Sequence, residues 1–76
     1  MNYRKRITVD PKILVGKPVI TGTRIPVELI LKMLAEGMNI REILAGYPRL
    51  TKEDIQAALW YAKELVEEER TYPLNS

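Results

Sequence analysis

The chain has 76 residues with 12 Lys or Arg, 10 Asp or Glu, no His and no Cys, for a net charge of +2. One small domain of this length hides only about 60% of its unfolded surface and leans on a further staple; with disulfides and Cys/His zinc sites excluded, a homodimer is the expected one. The apolar runs fall far short of the roughly 20 residues of a membrane-spanning helix, and the N-terminal cations lead into no apolar signal segment, so a cytoplasmic protein is expected.

Charge is unevenly placed. Residues 1–27 carry Arg4, Lys5, Arg6, Lys12, Lys17 and Arg24 against Asp10 alone, whereas residues 28–76 hold six cations and nine carboxylates. A basic segment on a mildly acidic body predicts contact with phosphate or with an acidic protein face. Residues 1–5 read as a basic arm, residues 6–70 as a single domain and residues 71–76 as a tail.

Arg6-Ile7-Thr8-Val9-Asp10 alternates polar and apolar residues and predicts a strand over about 6–10. Asp10-Pro11 is a turn signal. A second short strand is expected over 18–20; Pro18 has no N–H, so it lies at an edge or begins the strand. From Gly16 to Val27 the chain packs two glycines, two prolines, two threonines and two cations into twelve residues. Gly and Pro each fix a backbone shape, so Gly16, Pro18, Gly22, Thr23, Arg24 and Pro26 form a structural motif. Gly22 reads as a turn glycine. Arg24 reads as a structural residue that pairs with Glu28 across the strand-to-helix junction.

Three helices follow, over about 26–36, 40–45 and 52–69. Pro26 suits the first position of helix one and Gly37 its C-terminal cap. Val27, Ile30, Leu31 and Leu34 make a stripe widened by Leu29 and Met33, which predicts burial on more than one side. Asn39 and Glu42 have capping-box spacing, and Gly46 is expected to stop helix two. Thr51 caps helix three, with Asp54 reciprocal and Glu53 suited to the dipole. Ile55, Ala58, Leu59, Ala62, Leu65 and Val66 keep the three-four spacing of one face, flanked by Trp60 and Tyr61. Glu67, Glu68 and Glu69 oppose the dipole at the far end, which predicts fraying or a cationic partner. A short helix, a turn containing Pro48 and a longer helix are compatible with a helix-turn-helix.

Enzyme chemistry is poorly supplied. There is no His base and no Cys, and the only Ser is Ser76, so a triad is excluded. Pro18 after Lys17 breaks any phosphate-loop pattern. The adjacent carboxylates Glu53-Asp54 and Glu67 to Glu69 do not face one another on a helix, so no metal or cofactor is expected. For DNA, the start of helix three offers Lys52 and Gln56, and the turn before it Arg49, while Glu53 and Asp54 oppose a phosphate backbone. The candidate DNA contacts are therefore Arg49, Lys52 and Gln56, helped by Arg4, Lys5 and Arg6 and doubled by a dimer. Candidate protein-partner contacts are Arg4, Arg6, Lys17, Trp60 and Tyr61.

The strings Gly16-Lys17-Pro18-Val19-Ile20 and Gly22-Thr23-Arg24-Ile25-Pro26-Val27, followed by Leu34-Ala35-Glu36-Gly37, Tyr47-Pro48 and Ala57-Ala58-Leu59, resemble the signature of a small prokaryotic family, domain of unknown function 433. The resemblance covers about residues 6–66. It implies an α+β, mostly helical fold, in which a short N-terminal β element precedes a three-helix, homeodomain-like bundle. It also implies the antitoxin half of a toxin–antitoxin pair, whose toxin is a nuclease-like protein related to the PilT N-terminal fold. Such an antitoxin binds its toxin and represses its own promoter. A basic element, with Arg4, Lys5 and Arg6 as first candidates and Lys17 and Arg24 after them, would pair with the acidic metal-holding site of that nuclease. The alternatives are a DNA-binding regulator without a toxin and a protein-interaction module that never touches DNA.

Overall fold

The computed structural model describes residues 2–69. In chain order they form a 3-10 turn (Tyr3–Arg6), strand β1 (Ile7–Thr8), a second 3-10 turn (Leu14–Gly16), strand β2 (Val19–Ile20) and helices α1 (Val27–Ala35), α2 (Ile40–Gly46) and α3 (Lys52–Glu69). The class is α+β, a two-stranded antiparallel ribbon ahead of three helices. The expected tail over 71–76 lies outside the described residues.

The ribbon is shorter than the alternation suggested. Ile7 pairs with Ile20 and Thr8 with Val19. Arg6 already belongs to the first turn. At the other end the Asp10 carboxylate accepts the Lys12 N–H at 2.9 Å and the Asp10 carbonyl accepts the Ile13 N–H at 2.8 Å, which curls the chain out of the strand. Pro18 falls just before β2, and its carbonyl accepts the Val27 N–H at 2.9 Å. Between the strands, Leu14 and Val15 adopt left-handed backbone (φ 47° and 57°). A β-branched residue in that region is an outlier costing about 1–2 kcal/mol, and Val15 is 94% exposed.

Helix α1 starts one residue later than expected, because Pro26 is extended (ψ 148°) and serves as the N-cap. It ends in a Schellman motif: the Met38 N–H bonds the Met33 carbonyl and the Gly37 N–H the Leu34 carbonyl, both at 3.0 Å, with Gly37 at φ 96°. The Asn39–Glu42 capping box is complete in both directions. Gly46 does not stop α2. It is the last helical residue, and the chain turns away at Tyr47 (φ −131°, ψ 77°), because the residue before Pro48 is pushed out of the helical region.

Ile20, Val27, Ile30, Met33, Ile43, Leu50, Ile55 and Ala58 form the core, so each helix and the ribbon contribute to it. The arc of α1 is filled as expected, with Leu29, Leu31 and Leu34 half-buried around it. The face expected for α3 is only half right. Ile55 and Ala58 are buried, joined by Ala57, whereas Leu59, Leu65 and Val66 are exposed. Eighteen residues span about 27 Å, longer than α1 and α2, so the C-terminal half of α3 outruns its cover.

Candidate functional site

The signature segment is a pinned turn. Ile20 to Thr23 close through the Thr23 N–H on the Ile20 carbonyl at 3.0 Å, and Gly22 (φ 82°) supplies the left-handed third position of a type II turn. The Thr23 hydroxyl donates to the Ile20 carbonyl at 2.8 Å and accepts the Ile25 N–H at 3.0 Å. Ile25 then turns back on β2, with the Ile20 N–H on its carbonyl at 2.9 Å. From the α2–α3 connection, the Arg49 guanidinium donates to the Gly22 carbonyl at 2.6 Å. That bond holds the Thr21–Arg24 tip against the turn that precedes α3.

The basic arm is a docked element, not a free arm over residues 1–5. Tyr3 is 8% exposed and donates its phenolic O–H to Glu64 of α3; Arg4 reaches the same carboxylate oxygen at 3.1 Å. Arg6 pairs with Asp54 at 3.1 Å. Arg4 and Arg6 each pair with α3 while their side chains stay 74% and 40% exposed, and Lys5 between them is exposed with no partner among the described residues. Lys17 takes Glu28 at 2.5 Å, which leaves Arg24 exposed and unpaired, contrary to the expected Arg24–Glu28 bridge. The reason lies in Pro26: extended backbone there breaks the helical spacing between positions 24 and 28, while the Val27–Pro18 hydrogen bond brings Lys17 beside Glu28.

Hydrogen bonding to Glu64, burial and the nearby negative charge raise the Tyr3 phenol above its usual value of 10. Folding therefore favours the neutral phenol. Its contribution to stability is complete below pH 10 and is lost as pH rises through the raised native value. The Tm difference between the parent and Tyr3→Phe should be constant from pH 7 to 9.5 and shrink above pH 10; a difference that grows there would contradict this assignment.

The exposed end of α3 borders an apolar groove. Pro18, Leu31, Tyr61, Ala62, Leu65 and Val66 line about 330 Å³, together with Glu28. Leu65 and Val66 are 45% and 65% exposed. Of the expected partner contacts, Tyr61 lines this groove; Trp60 is exposed, with the Lys63 ammonium 5.0 Å from its ring centre. Sequence reasoning grouped Leu65 and Val66 on one apolar face with Ile55 and Ala58. Their adjacency was the available sign, since neighbours on a helix point about 100° apart and one narrow face cannot bury both. Among the described residues no acidic cluster is arranged to hold a metal ion, and no helix is long and apolar enough to cross a membrane.

The family model described as "Protein of unknown function (DUF433)" matches residues 7–62. The chain belongs to that family. A DUF433 member from Anabaena variabilis, solved by crystallography, superposes with a TM-score of 0.77 at 35% identity, covering 88% of this chain and 70% of that one. An uncharacterized protein of Sinorhizobium fredii is 38% identical over 60 residues, 79% of this chain but 27% of its own length. An uncharacterized protein of Archaeoglobus fulgidus is 67% identical over 24 residues, 32% of this chain and 67% of that protein. This DUF433 chain thus spans about a quarter of the Sinorhizobium relative. The DUF433 match holds the pinned turn, Arg24, Arg49 and Lys52; the docked residues Tyr3 to Arg6 and the groove residues Leu65 and Val66 lie beyond it.

Proposed function

We propose that this protein is a non-enzymatic binding module of the cytoplasm, the antitoxin half of a toxin–antitoxin pair, and that it holds a nuclease-like partner on the groove between α1 and α3. The observation that carries this reading is the exposure of Leu65 and Val66 beside Pro18, Leu31 and Ala62. A contiguous apolar patch on so small a domain favours association, because covering it removes apolar surface from water at about 25 cal/mol per Å². The basic-element mechanism is modified accordingly: Arg6 pairs with buried Asp54, and the partner meets an apolar face.

Co-expression of a tagged full chain with its neighbouring genes tests the reading. A stoichiometric nuclease-like protein should co-purify, and Leu65→Asp/Val66→Asp should lose it. Leu65 and Val66 are 45% and 65% exposed and neither belongs to the core, so the double variant should keep its circular dichroism and its Tm to within a few degrees. Recovery of a homodimer alone, made monomeric by the same variant, would assign the groove to a second copy and overturn the antitoxin reading.

A further inference from the structure

We infer that the free edge of β1 pairs with the same edge of a second copy, antiparallel about a two-fold axis at Thr8, to make a four-stranded sheet. Within the chain, Ile7 faces Ile20 and Thr8 faces Val19. The Thr21 N–H bonds the Arg6 carbonyl at 2.9 Å, and the Ile20 N–H turns the other way, to the Ile25 carbonyl at 2.9 Å. Ladder bonds alternate along an antiparallel pair, so Ile7 and Ile20 share none and the Ile7 carbonyl points outward. Val9 has the same orientation two residues on. Its N–H and carbonyl have no hydrogen-bond partner among the described residues. An acceptor at position 7 and a donor at position 9 are complementary to themselves. A half-turn about Thr8 brings the Val9 N–H of each copy to the Ile7 carbonyl of the other.

The side chains agree with that register. Val9 is 57% exposed. Beside it Tyr3, Arg4, Ile7, Val9 and Tyr61 line a pocket of about 250 Å³. In the pair, Val9 of one copy lies opposite Ile7 of the other, so a single contact covers an exposed apolar side chain and the hollow next to it. On the other face Thr8 meets its own counterpart, and Arg6 stands opposite Asp10 just beyond the ends of the edge. Asp10 is the single carboxylate among residues 1–27. It uses Oδ1 on the Lys12 N–H, and Arg6 uses Nη1 on Asp54, which leaves Oδ2 and the rest of the guanidinium for a cross-strand ion pair. An unrelated anion or acidic face would engage the cations and leave the backbone pattern unused; a second copy engages both. A two-stranded ribbon is marginal in water and an unpaired edge accepts another strand. The groove residues Leu65 and Val66 take no part, so the pairing stands independently of the antitoxin reading.

Sedimentation equilibrium of the full chain should show a dimer. Val9→Pro removes the donor from each copy and should weaken association by roughly 10- to 100-fold, two hydrogen bonds being lost by symmetry. That N–H bonds nothing within the chain, and Thr8 is in a strand, as the residue before a proline prefers, so Tm should stay within a few degrees. Leu65→Asp/Val66→Asp should leave the dimer intact while losing the co-expressed partner. Thr8→Cys tests the register in a chain that has no Cys. The pair at the axis is a non-hydrogen-bonded one, with Cα atoms about 4.5 Å apart and within disulfide reach. Mild oxidation should therefore cross-link Thr8→Cys far faster than Val15→Cys, whose side chain is exposed on the loop outside the edge. A monomeric parent chain, a Val9→Pro dimer as tight as the parent, equal cross-linking of the two cysteine variants, or a dimer broken by Leu65→Asp/Val66→Asp would each overturn the proposal.

Discussion

Ile30→Ala should destabilise the fold by about 3–4 kcal/mol, the middle of the range for truncating a buried Ile or Leu. Ile30 is fully buried and belongs to the cluster to which β2, α2 and α3 contribute Ile20, Ile43 and Ile55. Its removal leaves a cavity that three elements would have to close together, and dense interiors relax only in part. A domain of this size has roughly 4–11 kcal/mol in total, so the variant forfeits a large share. Urea melts should show a lower midpoint with an unchanged slope. Ile30→Val, which deletes one methylene, should cost about 1 kcal/mol. A loss below 1 kcal/mol for the alanine variant would mean that the core is less tightly packed around α1 than its burial indicates.

The parts of this fold that depend on near neighbours were legible in the sequence. Asn39 with Glu42, Thr51 with Asp54, and Gly37 as a C-terminal cap each act over three to five residues, and each forms as its spacing predicts. The same local logic failed where a proline altered the geometry. Pairing Arg24 with Glu28 across the junction left out the extended backbone at Pro26. Gly46 looked like a stop, yet Pro48 two residues later ends the helix from the far side.

The site was less legible because its bonds join distant positions. Arg4 meets Glu64, Arg6 meets Asp54 and Arg49 meets Gly22 across dozens of residues. A long cationic side chain has many acceptors within reach, so composition announces a basic segment without saying which charges are spent internally. The candidate cations therefore divide into those paired with α3, Arg4 and Arg6, and those without an ion-pair partner among the described residues, Lys5 and Lys52. Tyr3 carried a signal that went unread: one aromatic directly before Arg4-Lys5-Arg6 is poor design for a solvated arm and sensible for an anchor. The exposed half of α3 was misjudged for a different reason. Periodicity reports which residues share a face, and only the lengths of the neighbouring helices determine how much of that face is covered.

Asp54→Ala should cost about 3 kcal/mol, the largest expected effect of any polar substitution in this chain. The carboxylate acts at two levels at once. Locally it accepts the Thr51 N–H at 3.0 Å while its own N–H takes the Thr51 hydroxyl at 3.2 Å, and losing such a box costs about 1 kcal/mol. At long range it holds Arg6, and with it the turn that carries Tyr3 and Lys5 onto α3. Removing it strands a guanidinium and a backbone N–H, each of which loses a partner in a partly buried place. The Arg6 side chain is 40% exposed against 9% for Asp54, so water recovers part of the arginine's loss, and the ion-pair share belongs at the lower end of the range for buried pairs. Asp54→Asn keeps a side-chain oxygen for Thr51 but gives up the charge, and should lose about half as much. A double-mutant cycle with Arg6→Ala isolates the long-range part, expected at about 1 kcal/mol of coupling. Coupling near zero would show that the N-terminal turn is held by Tyr3 alone. In that case Asp54→Asn should be nearly neutral and Tyr3→Phe should carry the larger cost at pH 7.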